Sequence, residues 1–196
     1  MSRFKSRLCR LVCFGAGLLA VGAAGGCGPG RPPRVPAPAL DPVAIVAAAG
    51  DLDKLPSIAA GRPVLDTDHD MRVSESELLA WFERVRRSKV ALVSVSLRVR
   101  HKGRPLANAD VRLVPERCMG GTISEASGKT DRGGMGMVAI PGSKFPGVNC
   151  GLYRVQITGT GNDGQALPAR YNSESVLGIA VGGGLPENGA AIFDLD

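Results

Sequence analysis

Residues 66–77 read Asp66-Thr67-Asp68-His69-Asp70-Met71-Arg72-Val73-Ser74-Glu75-Ser76-Glu77. Carboxylates stand at the first, third, fifth and twelfth positions of this stretch. That spacing suits a hard divalent cation such as calcium, which takes six to eight oxygen ligands. The ligands would be Asp66, Asp68, Asp70, the carbonyl of Arg72, Ser74 through a water, and Glu77 with both oxygens. A second chemistry belongs to the thiols of Cys27, Cys118 and Cys150. Cys27 directly follows the small residues Ala23-Ala24-Gly25-Gly26, where acylation would hold the chain to a membrane.

The acidic stretch resembles an EF-hand calcium loop, with Val73 at the apolar eighth position. It departs from that pattern at Met71, which replaces the glycine of the sharp turn at position six. No clear helix enters it from the N-terminal side, and no second copy is present to pair with. A purely local explanation also stands. Ser74 and Glu77 form a capping box, each side chain satisfying an otherwise orphaned backbone N–H, and Asp66 to Asp70 form a solvated acidic turn. A lone extracellular loop of this kind would bind calcium weakly, with Kd about 10⁻⁴–10⁻³ M.

Cys27 closes an N-terminal segment built for export. Arg3, Lys5, Arg7 and Arg10 precede an apolar run from Leu11 to Ala24, too short to span a bilayer comfortably. The cysteine after small residues resembles the lipobox of bacterial lipoproteins, although Ala24 stands where that family favours a larger apolar residue. The alternative is an ordinary secretory signal cut nearby. Residues 1–26 are thus expected to be a lipoprotein signal peptide, and 27–42 a lipidated cysteine with a Pro-rich tether. The mature protein would be exported and held at the membrane of the bacterial cell envelope.

Removing this segment changes the charge. The chain has 24 Lys+Arg and 18 Asp+Glu. Residues 1–26 carry four of the basic residues and no acidic ones, leaving 20 against 18, or +2, in the remainder. That balance, with 4 % aromatic residues, argues against a nucleic-acid partner. Of the five cysteines, Cys9 and Cys13 leave with the signal and Cys27 takes the lipid. Cys118 and Cys150 remain as an even pair in an oxidising compartment, where a disulfide is the expectation. It would stabilise the fold by about 3–4 kcal/mol. Two separate buried thiols are the alternative.

Nothing in the chain points to an enzyme. There is no Gly-x-Ser-x-Gly elbow, HExxH pair or P-loop. His101 reads as a surface residue ending a strand. Glu125 and Asp131 fall in turns, where such residues are common.

The elements that would position these groups divide at about residue 88. Asp41-Pro42 is an N-cap followed by proline at the first helical position, and Gly50 is a stop. Pro56, Gly61 and Pro63 argue against a long helix before residue 65. Ser74 to Arg87 is amphipathic, with Leu78, Phe82 and Val85 on one face and Trp81 beside them. From residue 90 the period becomes two: Val93, Val95, Leu97 and Val99 alternate with polar residues, Lys102-Gly103 turns, and Ala109, Val111 and Leu113 alternate again. Further strands are expected at 136–140, 152–158, 175–181 and 189–195. Six or seven short strands at this spacing predict a mostly β sandwich over 89–196, preceded by a helical segment over 43–88 with one amphipathic helix.

Four word-like blocks sharpen this. They are Lys102-Gly103-Arg104-Pro105-Leu106-Ala107-Asn108-Ala109-Asp110-Val111 with Leu113-Val114-Pro115-Glu116; Ala126-Ser127-Gly128-Lys129-Thr130-Asp131-Arg132-Gly133-Gly134; Pro146-Gly147 through Gly151-Leu152-Tyr153-Arg154-Val155; and Leu167-Pro168-Ala169-Arg170-Tyr171-Asn172-Ser173-Glu174-Ser175. In that order they resemble carboxypeptidase-regulatory-like domains, the last block in the form found in short bacterial envelope lipoproteins. The resemblance implies a seven-stranded, transthyretin-like (Ig-like) β-sandwich without catalytic activity. Thr130-Asp131 and Gly133 make a turn whose glycine can take positive φ. Cys118 and Cys150 stand where the family has an ordinary loop residue and a proline, a paired departure that favours their facing each other. Two functions follow. One is a non-catalytic, lipid-anchored envelope protein whose sandwich serves as a binding or structural module, its partner an envelope protein or polysaccharide. The other is a calcium-responsive envelope protein using the 66–77 loop.

Overall fold

The computed structural model describes residues 35–184 and 190–196. The expected signal peptide, Cys27 and the first part of the tether, residues 28–34, lie outside them. Helix α1 (Pro42–Ala49) begins as the sequence suggests. Asp41 Oδ1 accepts the N–H groups of Val43 and Ala44 at 3.1 and 3.2 Å, and Gly50 ends the helix at φ 67°. Leu40 and Pro42 are buried.

A 3₁₀ turn (Leu52–Lys54) leads into α2 (Pro56–Leu65), a ten-residue helix in a region read as unfavourable for one. Proline at the first position costs nothing, because its missing N–H has no partner there in any helix. Pro63 sits in the last turn with its ring exposed, and Asp66 N–H closes the helix on Arg62 O at 2.9 Å. Helix α3 (Glu75–Ser88) carries the capping box and buries Leu78, Trp81, Phe82 and Val85.

Eight strands follow: β1 (Val95–His101), β2 (Arg104–Pro105), β3 (Asp110–Pro115), β4 (Ala126–Lys129), β5 (Met135–Val138), β6 (Gly151–Thr158), β7 (Leu177–Val181) and β8 (Ala190–Leu195). They form two sheets. In one, β1 pairs β5 and β2 antiparallel and β8 in parallel. The other runs β4-β3-β6-β7, antiparallel throughout. The fold is the expected mostly β sandwich preceded by a helical segment. The strands beyond six are the two-residue β2 and β4, whose Gly128 lies against the Met137 carbonyl, a close approach that no side chain would permit.

Alternation decides which faces meet. Val95, Leu97 and Val99 of β1, Val111 and Leu113 of β3, and Leu152, Tyr153, Val155 and Ile157 of β6 are all buried. The helices are not a separate body, because Leu65, Leu78, Trp81 and Phe82 join the same core cluster as these strand residues. The turn glycine needing positive φ is Gly134 (φ 72°), not Gly133. A side chain at Gly134 would meet the Val99 carbonyl, which accepts the Leu106 N–H at the open end of the β1–β2 hairpin.

Candidate functional site

The acidic loop begins where α2 stops and ends in the first turn of α3, so a helix does enter it, contrary to the sequence expectation. A signal for that helix exists in hindsight: Ile58, Gly61 and Leu65 recur at helical spacing, and all three are buried. Inside the loop, carboxylate oxygens of Asp66, Asp68 and Asp70 lie within 4.8 Å of one another. Backbone donors hold each in place. Asp66 Oδ1 and Oδ2 accept the N–H groups of Asp70 (3.2 Å) and Met71 (3.0 Å), Asp68 Oδ1 accepts Asp70 N–H (3.2 Å), and Asp70 Oδ1 accepts Arg72 N–H (2.8 Å).

Met71 occupies the glycine position of the calcium pattern and takes the conformation a glycine would, φ 74°, with His69 at φ 62°. A left-handed methionine is uncommon and costs on the order of 1 kcal/mol. The two N–H bonds to Asp66 hold it there. Val73 is buried, fixing the loop to the core at its eighth position.

Glu77 stands outside the group of three. Its Oε1 accepts the Thr67 N–H and hydroxyl (2.5 and 2.8 Å) and the Asp68 N–H (3.3 Å), and its Oε2 accepts the Ser74 N–H and hydroxyl, both at 2.9 Å. The Ser74 N–H leads, with Thr67, in holding this carboxyl ionised down to about pH 2. To reach a cation in the loop it would have to release some of these donors. Ser74 Oγ is engaged in the capping box, and Arg72 carries its side chain outward, 3.9 Å from Asp53.

Cys118 and Cys150 are free, buried thiols in this structure, and the expected disulfide is not formed. The reason lies in the ladder. Pairing of β3 with β6 matches Asp110 with Thr158 and ends at Pro115 with Tyr153. Continued for three residues, that register would set 118 opposite 150. Instead the chain leaves after the Glu116 N–H to Leu152 O bond (2.9 Å) and coils into a 3₁₀ turn at Arg117–Met119. Cys118 then lines a cleft beside α1, while Cys150 Sγ faces the Val90 carbonyl and Gly182. Burial pushes the Cys118 thiol up to about 11, reinforced by neighbouring Glu116, and burial raises Cys150 as well.

His101 is buried, not at the surface. Its Nδ1 accepts the Asn162 N–H at 2.9 Å, and the Asn162 side chain returns a bond to the His101 carbonyl at 3.0 Å. Other chemically capable groups serve the same end. The Thr130 hydroxyl donates to Leu106 O (2.7 Å) and accepts Ala109 N–H (2.9 Å), and the Tyr153 hydroxyl donates to Asn149 O (2.9 Å). Glu125 pairs with Arg112, and Asp131 accepts two backbone N–H groups of its own turn.

Sequence reasoning missed one cluster altogether. Glu116 is buried, with Ser57 Oγ of α2 at 3.4 Å and the Arg154 guanidinium of β6 at 3.6 Å. Its three members are 59 and 38 positions apart or more, and no local pattern could join them.

No family model matches the chain, and no curated protein matches it. Among solved structures it is similar to the major pilin subunit of Bacillus cereus, with 14% sequence identity and a TM-score of 0.33. That likeness covers 54% of this chain and 29% of the pilin, so the chain spans less than a third of the pilin's length.

Proposed function

We propose that this chain is a non-catalytic, lipid-anchored module of the bacterial cell envelope, binding or bracing an envelope protein or polysaccharide through its sandwich. The observation that carries the non-catalytic part is the use made of His101, Thr130 and Tyr153, each spent on a backbone group that pins a loop. A nucleophile needs a neighbouring base, and a base needs an orienting group. These residues instead stand on or next to three different strands, β1, β4 and β6, with their polar atoms given to neighbouring backbone. The anchoring part rests on the export-type N-terminus and Cys27. Expressing the full chain in a bacterium with a labelled fatty acid tests it. Label and protein should travel together in the membrane fraction, and Cys27→Ser should lose the label and leave that fraction. An unlabelled, cytoplasmic wild-type chain would sink the reading.

A second reading, a calcium-responsive module, is favoured by the α2–loop–α3 arrangement around three converging carboxylates. Asp66, Asp68 and Asp70 fit a hard cation, and Glu77 would join by turning from its caps. Trp81, the single tryptophan, lies one helical turn beyond Glu77 and would report that movement. Trp81 fluorescence should change with a midpoint of about 10⁻⁴–10⁻³ M calcium. Asp68→Ala, at an exposed position, should abolish the change without unfolding the chain. No response and no heat at millimolar calcium would end this reading.

A further inference from the structure

We propose that Glu116 is a pH-sensitive latch that sets how firmly helix α2 is held on the sandwich. Glu116 follows β3, with its backbone still tied to β6 through Leu152 O. Its side chain is only 4% exposed. Facing it are Ser57 of α2, Arg154 of β6, and Arg117 and Cys118 of the 3₁₀ turn, with Asp53, Lys54 and Glu174 beyond Arg154. Clefts of about 490 and 420 Å³, both lined by Arg154, open beside the cluster, but the carboxylate itself stays 4% exposed.

The two contacts to the carboxylate, 3.4 and 3.6 Å, are long for a buried charge. An ionised carboxylate here has lost its hydration and recovered little in return. A neutral carboxyl loses far less. Burial accordingly raises Glu116 above its ordinary 4.5, with Arg154 and Ser57 offsetting only part of the effect.

Helix α2 is the element that must move for Glu116 to regain water. Ser57 is fully buried, and the first turn of α2 rests directly on the β7 backbone at Gly178. Parting that turn from the sandwich exposes the carboxylate. The sign follows from linkage. A group raised in the closed state stabilises closure fully below its open-state value, and that stabilisation is lost as pH rises through the closed-state value. The grip of α2 is therefore tightest in acid, weakens upward from about pH 4.5, and becomes constant once Glu116 is ionised in the closed state as well. This holds whether or not the 66–77 loop takes a cation.

Hydrogen exchange of the full chain, read on peptides covering 52–65 and corrected for intrinsic rates, tests the latch. Opening should rise by up to about tenfold per pH unit above the ordinary carboxylate value and then level off. Glu116→Gln should hold the strong acid-side protection at every pH. Arg154→Met, which removes the group favouring the ionised form, should move the levelling-off to higher pH. Ser57→Ala should do the same where Arg154→Met does not fold. A flat profile for the unmutated chain would overturn the proposal. So would a slope surviving in Glu116→Gln, or a shift to lower pH, or none, in the Arg154 or Ser57 variant.

Discussion

Gly178→Ala is expected to destabilise the fold by about 3 kcal/mol, at the upper end for overpacking a core by one methyl. A Cβ at this position would lie 2.1 Å from Ser57 N and 2.2 Å from Pro56 C. Both are backbone atoms, so no rotamer change can make room. Either β7 gives way, although it is bonded to β6 along Gly151–Val155, or the first turn of α2 lifts. The helix is the softer partner. It would leave with Ser57, withdrawing the hydroxyl from Glu116 and opening the buried carboxylate to water. A chain of this size should lose about 6–12 °C in Tm. Thermal unfolding followed by circular dichroism measures this, with Gly133→Ala as an exposed control that meets no backbone atom, its nearest neighbour being Asp131 Oδ1 at 3.3 Å. A loss below about 1 kcal/mol would mean that α2 is not pressed on β7 as the backbone distances state.

That contact illustrates what the sequence could and could not carry. Elements defined by their own period were readable. The alternation of β1 and β3, the long apolar strand β6 and the capped amphipathic α3 all lie within a residue or two of their expected bounds. Helix α2 was hidden because its prolines suggest a break, and only their positions, first residue and last turn, remove the objection. Strand β4 was hidden inside a turn-rich phrase, since Ala-Ser-Gly-Lys has little strand propensity and becomes a strand only by pairing with Asp110–Leu113 of β3, while Gly128 leaves room for Met137 of β5.

The candidate site divides along the same line. The ligand set of the acidic loop is local, and its spacing predicts the grouping of Asp66, Asp68 and Asp70. The conformation of Met71 was not legible, because positive φ there depends on the two N–H bonds to Asp66. The disulfide expectation failed on a single event, the departure of the chain from the ladder after Glu116. Parity and compartment say that two cysteines are available, but say nothing of where their side chains turn. The Glu116 cluster is wholly a product of tertiary packing.

Trp81→Ala should have the largest effect of any single change on the helical segment, about 4 kcal/mol, within the range for truncating a buried aromatic residue. The indole is fully buried and stands edge-on to Phe82, with ring centres 4.7 Å apart. Its Nε1 donates to Gly182 O at 3.2 Å. Gly183, at φ 59°, brings backbone so close that a Cβ would sit 2.7 Å from Nε1. The turn after β7 is thus moulded around this side chain, and truncation would leave both a cavity and an orphaned carbonyl. Trp81→Phe separates the two, keeping most of the volume while losing the donor, and should cost about 1–3 kcal/mol. The form of the unfolding curve matters as much as its midpoint. Because Trp81 and Phe82 lie in one core with Val95, Leu97 and Tyr153, helices and strands should melt together in Trp81→Ala, about 8–16 °C lower. A curve split into an early helical loss and an unshifted β transition would show that residues 43–88 fold apart from the sandwich. In that case, motion in the acidic loop or at Glu116 could not reach the strands through α3.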